Sequence, residues 1–252
     1  MEATASEVEF GVAQGSVLGP LLFILYTGDI AELAVSAGIR AHSYADDIQL
    51  YAHCRATEEG EAMGRMSRCI VDIERWMKSN RFRLNTDKTQ TMWFGSRQQL
   101  HKLKDTPIVI DGVSITSALT AKNLGVVLDQ ELNLRSQVNA VTRSCYYQLR
   151  QIRSIRRLLT DEAATTLVVS LVTSRLDYCN SIYFGSTTDV FNKLQSVLNS
   201  AARLVTGGKR REHITPVLKD LHRCDVSSRT RHLQSRYSRE RMPQQHTTRL
   251  PL

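Results

Sequence analysis

Two adjacent aspartates, Asp46 and Asp47, close the tetrapeptide Tyr44-Ala45-Asp46-Asp47. Side by side, their like charges repel unless a cation sits between or beside them. Hard carboxylate oxygens on a short turn suit Mg2+, which takes one or two protein carboxylates and completes its octahedron with phosphate oxygens and water. The plainer reading is a turn, because Asp hydrogen-bonds its own backbone and is favoured there. On the pair alone the plainer reading leads, since short motifs match by chance. A second group is cationic: Arg150, Arg153, Arg156 and Arg157 are spaced to share one helical face. Such a face either tracks a nucleic-acid backbone or is simply solvated.

The elements that must position these residues follow from pattern. Gly19-Pro20 feeds Leu21-Leu22-Phe23-Ile24-Leu25-Tyr26, which reads as a helix with proline in its first turn, apolar on most sides and hence buried. Residues 39–44 and 48–53 are β-prone stretches on either side of Ala45-Asp46-Asp47, a hairpin pattern. Thr57 stands at an N-cap position, followed by Glu58, Glu59 and Glu61. Met63, Met66, Ile70, Ile73 and Met77 then recur at spacings of three and four, which predicts an amphipathic helix ending near Asn80 with its methionine stripe in the core. Residues 84–94 return to strand character. Ile108 to Ile115 is a second hairpin, with Asp111-Gly112 supplying the positive φ angles of its turn.

Strands with helices interleaved continue to about Leu128, after which the pattern is helical alone, over 132–156, 161–179 and 189–205. The expected architecture is α+β: an antiparallel sheet with packed helices over residues 1–130, an all-helical region over 131–225, and a basic, disordered tail over 226–252. No repeat at solenoid periods is visible.

Composition narrows the partners. Hydrophobic residues make up 42% of the 252-residue chain, ordinary for a packed core. The apolar run from Val17 to Tyr26 is about half a bilayer span, and Met1 to Glu9 carries three glutamates and no basic region. The expectation is an intracellular protein, nuclear or cytoplasmic, with no membrane partner. Five scattered cysteines, Cys54, Cys69, Cys145, Cys179 and Cys224, form no C-x-x-C pair and read as reduced thiols, mostly core. The grouping of His213, His222 and Cys224 has no zinc-site spacing. The net charge of +8 is local: from Ala201 onward twelve Lys and Arg face four Asp and Glu, leaving 21 of each in the first 200 residues. That segment suits nucleic acid, or is a solvated tail.

Four blocks occur in order: Gly11-Val12-Ala13-Gln14-Gly15-Ser16-Val17-Leu18-Gly19-Pro20; Tyr44-Ala45-Asp46-Asp47; Leu84-Asn85-Thr86-Asp87-Lys88-Thr89; and Asn123-Leu124-Gly125-Val126. Together they resemble the successive palm motifs of reverse transcriptases, in wording closest to those of non-LTR (LINE-type) retrotransposons. Trp93-Phe94-Gly95 and residues 174–180 also look like that family, and the resemblance covers roughly residues 10–222.

The resemblance implies a polymerase palm over 1–130, a thumb over 131–225, and RNA-directed DNA synthesis on an RNA template from a DNA primer and deoxynucleoside triphosphates. It implies Mg2+, two ions in the complete parent enzyme, with Mn2+ as the alternative. Asp46 would be a metal ligand, with Asp47 shaping the site and assisting the metals. Tyr44 would line the site near the primer end. Gln14, Gly15 and Ser16 would lie under the templating base and incoming nucleotide, Gly11 and Gly15 permitting close approach. Lys88 would approach the triphosphate and protonate the leaving pyrophosphate. Leu124 and Gly125 would belong to the primer grip, and Arg150, Arg153, Arg156 and Arg157 to a thumb surface facing the nucleic-acid backbone.

The sequence departs from the family pattern at Ala13, where proline is usual, and at Arg223-Cys224-Asp225-Val226, where an apolar continuation is expected. The family also supplies a further aspartate from a strand upstream of the Gln-Gly-Ser loop, and Glu2, Glu7 and Glu9 stand in no such context. Two readings therefore remain: a reverse-transcriptase fragment whose parent performs two-metal nucleotidyl transfer, or a catalytically dead remnant of an element that at most binds nucleic acid.

Overall fold

The computed structural model describes residues 16–104 and 106–208. Gly11, Gln14, Gly15, the His213/His222/Cys224 grouping and the tail after 225 lie outside the described residues. The chain divides into two compact units, 1–119 and 120–252. Among the described residues the architecture is α+β, with three separate two-stranded antiparallel sheets.

In the first unit, α1 (Gly19–Tyr26) and α2 (Asp29–Ser36) precede β1 (Arg40–Tyr44) and β2 (Asp47–Tyr51). The hairpin keeps a two-residue connection, with Arg40 opposite Tyr51 and Tyr44 opposite Asp47. Alternation decides its faces. Ala41, Ile48 and Leu50 pack on a core of Ile30, Ala34, Ile39, Cys69, Ile73 and Met77, whereas Arg40, His42, Tyr44 and Tyr51 are exposed.

The long α3 (Glu59–Ser79) carries the expected apolar stripe, acids Glu59 and Glu61 in its first turn and Lys78 in its last. Thr57 does not cap it. A 3-10 turn at Ala56–Glu58 precedes it instead, where the Glu58 carboxylate accepts the Arg55 N–H at 3.2 Å. A glutamate three residues on reaches back to an orphan donor more directly than the expected threonine. At the other end the Asn80 side-chain amide donates to the Trp76 carbonyl at 2.9 Å, and Arg81 at φ 62° turns the chain out of the helix.

Two expectations fail in this unit. Helix α1 is not buried: Leu21, Leu22, Ile24 and Leu25 are between 45% and 70% exposed. Only one edge is anchored, where Phe23 and Tyr26 meet Phe82 and Trp76 in an aromatic cluster with centroids 5.5–6.3 Å apart. An all-round apolar helix needs cover on every side, and the described residues of this unit cover one. Taken on through α2, Gly19–Ser36 is 18 residues long with mean hydropathy 1.3, enough by length and composition to cross a membrane. The apolar run thus extends well beyond Tyr26, although Thr27-Gly28 divides it and Ile30 and Ala34 are buried.

Residues 84–94 form no strand beyond a single bridge from Thr91 to Ser117. The Asn85 carbonyl and side-chain oxygens take the Lys88 N–H, each at 3.2 Å, and the carbonyl also takes the Thr89 N–H at 3.0 Å. Local Asx bonding outcompetes the ladder. After the short α4 (Arg97–Leu100), β3 (Ile108–Ile110) and β4 (Val113–Ile115) pair through Asp111 at φ 47° and Gly112 at φ 78°, the tight turn expected there. Glu74 and Lys78 of α3 hold Asp111, at 2.7 Å and 3.2 Å, and tie the hairpin to the helix.

The second unit opens with β5 (Thr120–Asn123) and β6 (Val126–Asp129), so the change in sequence character near 130 falls ten residues after the division of the packing at 120. Helix α5 (Arg135–Ile155) begins three residues after its expected start. Asp129 accepts the Asn133 N–H at 2.9 Å and Asn133 accepts the Arg135 N–H at 3.0 Å, with Leu132 and Leu134 left-handed at φ 52° and 59°.

The helix expected over 161–179 runs from Asp161 to Asp177 with a π segment inside it. Thr160 caps α6 (Asp161–Val168), accepting the Ala163 N–H at 3.2 Å; a π turn at Val169–Thr173 and α7 (Ser174–Asp177) follow. The Thr165, Thr166, Ser170 and Ser174 hydroxyls donate to the carbonyls four residues back. Hydroxyl back-bonding of this kind loosens the helical ladder, and a π turn absorbs the slack.

Helix α8 (Thr188–Thr206) ends on Gly207 at φ 68°, the left-handed residue that commonly follows a helix. Its Val190, Leu194, Val197, Leu198 and Ala201 meet Val138, Cys145, Leu149 and Ile152 of α5, together with Val168, Val172, Leu176 and Tyr183, in one continuous core. Each fully buried aliphatic chain there contributes about 1.5–3 kcal/mol. The basic segment counted from Ala201 therefore starts inside this core: Ala201, Ala202, Leu204 and Val205 are all buried.

Candidate functional site

The β1–β2 hairpin presents its carboxylates at its free end. Tyr44 and Asp47 form the last pair of the ladder, Ala45 and Asp46 make the connection, and all four residues are exposed. Ala45 sits at φ 51°, where a side chain costs about 1 kcal/mol over glycine. Five ladder pairs and the inward Ala41, Ile48 and Leu50 keep this tip from swinging freely. Among the described residues neither aspartate joins an ion pair.

Two neighbouring carboxylates facing water can take one edge of a hard cation. They do not complete a two-ion site: the described residues contain no group of three or more His, Cys, Asp or Glu placed to share a metal. The fit to a divalent ion is therefore partial.

The other sequence candidates occupy turns and helix ends. The Ser16 hydroxyl accepts the Gly19 N–H at 3.1 Å and opens α1. Lys88 is exposed in the Asn85 turn and pairs with no acid among the described residues. Leu124 and Gly125, at φ 44° and 83°, form the β5–β6 turn.

Sequence reasoning assigned no role to the residue that holds this turn. The Tyr178 hydroxyl donates to the Leu124 carbonyl at 2.5 Å, and a Cβ on Gly125 would lie 3.4 Å from the Tyr178 ring. The only signal was indirect, since residues 174–180 stood out as a block without a role.

The arginines separate into two kinds. Arg150 and Arg153 are exposed on α5, and Arg157 is exposed on the 3-10 turn Arg156–Leu158 that follows it. Arg156 turns inward. Its guanidinium donates to the carbonyls of Leu204 and Leu159, each at 3.0 Å, and of Val205 at 2.8 Å, and it pairs with Asp161. It caps the end of α8 with a planar fork, four of its five N–H donors engaged. The four therefore do not share one face, because the α-helix ends at Ile155 and the chain tightens.

Comparison with known proteins places these features in a family. Residues 2–128 match the reverse transcriptase (RNA-dependent DNA polymerase) family model, a span that includes the hairpin, Lys88 and the β5–β6 turn. The chain is 29% identical over 245 residues to a probable RNA-directed DNA polymerase from transposon BS of Drosophila melanogaster, covering 94% of this chain and 26% of that protein. It is 26% identical to a probable RNA-directed DNA polymerase from transposon X-element of the same species, covering 93% and 26%. It is 22% identical to the RNA-directed DNA polymerase from mobile element jockey of Drosophila funebris, covering 91% and 25%. The chain thus spans about a quarter of the length of the curated relatives it matches, and no solved structure matches it. With half of its residues, and its paired aspartates among them, inside the family model, the chain belongs to the reverse transcriptase (RNA-dependent DNA polymerase) family.

Proposed function

We propose that this chain is a palm-and-thumb portion of a non-LTR retrotransposon RNA-directed DNA polymerase, the first unit supplying palm elements and the α5–α8 helices the thumb. The observation that carries the reading is the exposed Asp46-Asp47 pair at the end of an anchored hairpin, inside the span matched by the family model. In the parent protein the reaction would join a primer 3′-hydroxyl to the α-phosphate of a deoxynucleoside triphosphate as the α–β phosphoanhydride bond breaks and pyrophosphate leaves, with divalent ions neutralising charge. Asp46 and Asp47 would hold one edge of that ion site, and Tyr44 would border it. Ser16, with Gln14 and Gly15, would support the nucleotide and template, Lys88 the triphosphate, and Leu124-Gly125 the primer. The compartment that fits this work is the nucleus or cytoplasm.

Two carboxylates do not hold two ions, so the isolated chain is expected to extend a primer on an RNA template very poorly or not at all in Mg2+. Template-dependent synthesis abolished by Asp46→Asn would overturn this. Metal binding is tested on the chain itself with Fe2+ in place of Mg2+, reading backbone cleavage by locally generated hydroxyl radicals. Cleavage near residues 44–47 that disappears in Asp46→Asn is expected. A pattern unchanged by that substitution removes the metal role.

The alternative, a dead remnant that binds nucleic acid, keeps the tail and the exposed arginines. Deleting residues 209–252, which spares the α8 core, should then weaken salt-dependent retention on RNA–DNA duplex.

A further inference from the structure

The β5–β6 turn is fastened from outside its own hairpin. The Val127 N–H seats β6 on the buried Gln137 side chain at 2.8 Å, whereas Thr120 and Lys122 of β5 face water. Asn123 and Val126 close the ladder, and beyond them Leu124 and Gly125 carry the turn at φ 44° and 83°. A two-stranded hairpin is marginal in water on its own. The direction in which such a tip points therefore depends on what else holds it.

Tyr178 supplies a hold, and the chain around it fixes where the tyrosine stands. Its N–H donates to the Ser174 carbonyl at 3.0 Å as α7 ends, and Cys179 turns the chain at φ 51°. Leu176 and Asn180 on either side are buried, so Tyr178, itself 51% exposed, is projected from two anchored flanks. Its hydroxyl donates to the Leu124 carbonyl at 2.5 Å. A hydrogen bond this open to water adds little to stability, because water competes for both partners. Its larger effect is geometric. A Cβ on Gly125 would lie 3.4 Å from the tyrosine ring and 3.5 Å from its hydroxyl oxygen. The side chain that glycine lacks would thus face Tyr178, and its absence lets the turn lie against the ring as well as take its positive φ.

We propose that Tyr178 is a positioning residue for the primer 3′ end. Reaching across from the helices of the second unit, it sets the geometry in which the Leu124-Gly125 turn meets the primer. This role rests on the reading of that turn as a primer contact and deepens it, because helices and turn then move as one body. A reacting end displaced by about 1 Å can lose about a hundredfold in rate. One hydroxyl at the turn would therefore weigh on the reaction far more than on the fold.

The test uses the full chain on a DNA primer annealed to a longer RNA template. A photoreactive thymidine stands either at the primer 3′ end or well back in the duplex, and the labelled residues are read by mass spectrometry at saturating duplex. The 3′-end probe should label residues 123–126 in the parent. That label should be lost in Tyr178→Phe, which keeps the ring and removes the donor, while labelling by the internal probe stays unchanged. Tyr178→Ala should show the same loss. Equal labelling of 123–126 in the parent and in both variants overturns the positioning role and leaves the turn as a primer contact. A parallel fall with both probes assigns Tyr178 to the fold alone and overturns the role as well. No label at 123–126 in the parent removes the primer reading of the turn, and the role of Tyr178 with it.

Discussion

The two units solve the same problem differently. The second closes its apolar surface on itself: α5 and α8 share a continuous core, joined by Val168, Val172, Leu176 and Tyr183. The first distributes its burial over two smaller clusters, one around Ile30, Ile73 and Met77 and one around Ile70, Ile108 and Ile110, and leaves most of α1 in water. Among the described residues, the unit that presents the paired carboxylates thus covers less of its own apolar surface. An anchored hairpin at the edge of a small core keeps its tip carboxylates in water. The second unit puts its large aliphatic side chains inside.

The contrast is open to attack by mutation. The largest effect is expected from Leu194→Ala in α8, fully buried in the second core, with a loss of about 2–5 kcal/mol in denaturant unfolding; a loss under about 1 kcal/mol would show that this core is loosely packed. Next comes Arg156→Lys. A single ammonium cannot replace a fork that serves three carbonyls and Asp161, so about 1–3 kcal/mol should be lost despite the retained charge. Retained stability would mean that charge alone is what α8 needs at its end.

A smaller effect depends on pH. Burial pushes the Cys145 thiol up to about 11, and the nearby Arg175 guanidinium offsets this only in part. The native state therefore holds that proton more tightly than the unfolded chain, whose thiol titrates near 9.0. This contribution is complete below about pH 9 and is lost as pH climbs toward 11. Burial also raises Tyr183, with the same sign. Unfolding midpoints should fall over that window, with a shallower slope in Cys145→Ala, and an identical slope in the variant would assign the pH dependence elsewhere. The smallest effect is expected for Leu25→Ser on the open side of α1, where Leu25 is 70% exposed: a change within about 0.5 kcal/mol. A large loss there would mean that α1 is covered after all.

What the sequence disclosed and what it hid follow one line. Local signals were readable: the Asp111-Gly112 turn, the hairpin around Ala45-Asp46 and the stripe from Met63 to Met77 all specify structure within a few residues. Features decided at a distance were not. The pattern of α1 reads as buried because composition reports what a helix wants and not whether a partner is present. Residues 84–94 read with strand character, yet Asn85 offers closer acceptors than any neighbouring strand. Arg156 looks equivalent to Arg150 and Arg153 in the spacing, yet Leu159 and Asp161 nearby and the end of α8, 48 and 49 residues further on, claim it. The aspartate pair was legible as a candidate because two acids in one turn are conspicuous. The donors that hold the Leu124-Gly125 turn were not, because nothing in Tyr178 itself points to a carbonyl in another hairpin.

That tyrosine has a consequence for the order in which the second unit assembles. A two-residue hairpin such as β5–β6 closes within microseconds, since it joins neighbours in the chain. The hydrogen bond from Tyr178 to Leu124 spans 54 residues and cannot form until the intervening helices have docked. The turn therefore takes its shape early and is fastened late. Loss of the hydroxyl in Tyr178→Phe should leave the refolding rate nearly unchanged and speed unfolding, the kinetic mark of a contact made after the barrier has been crossed.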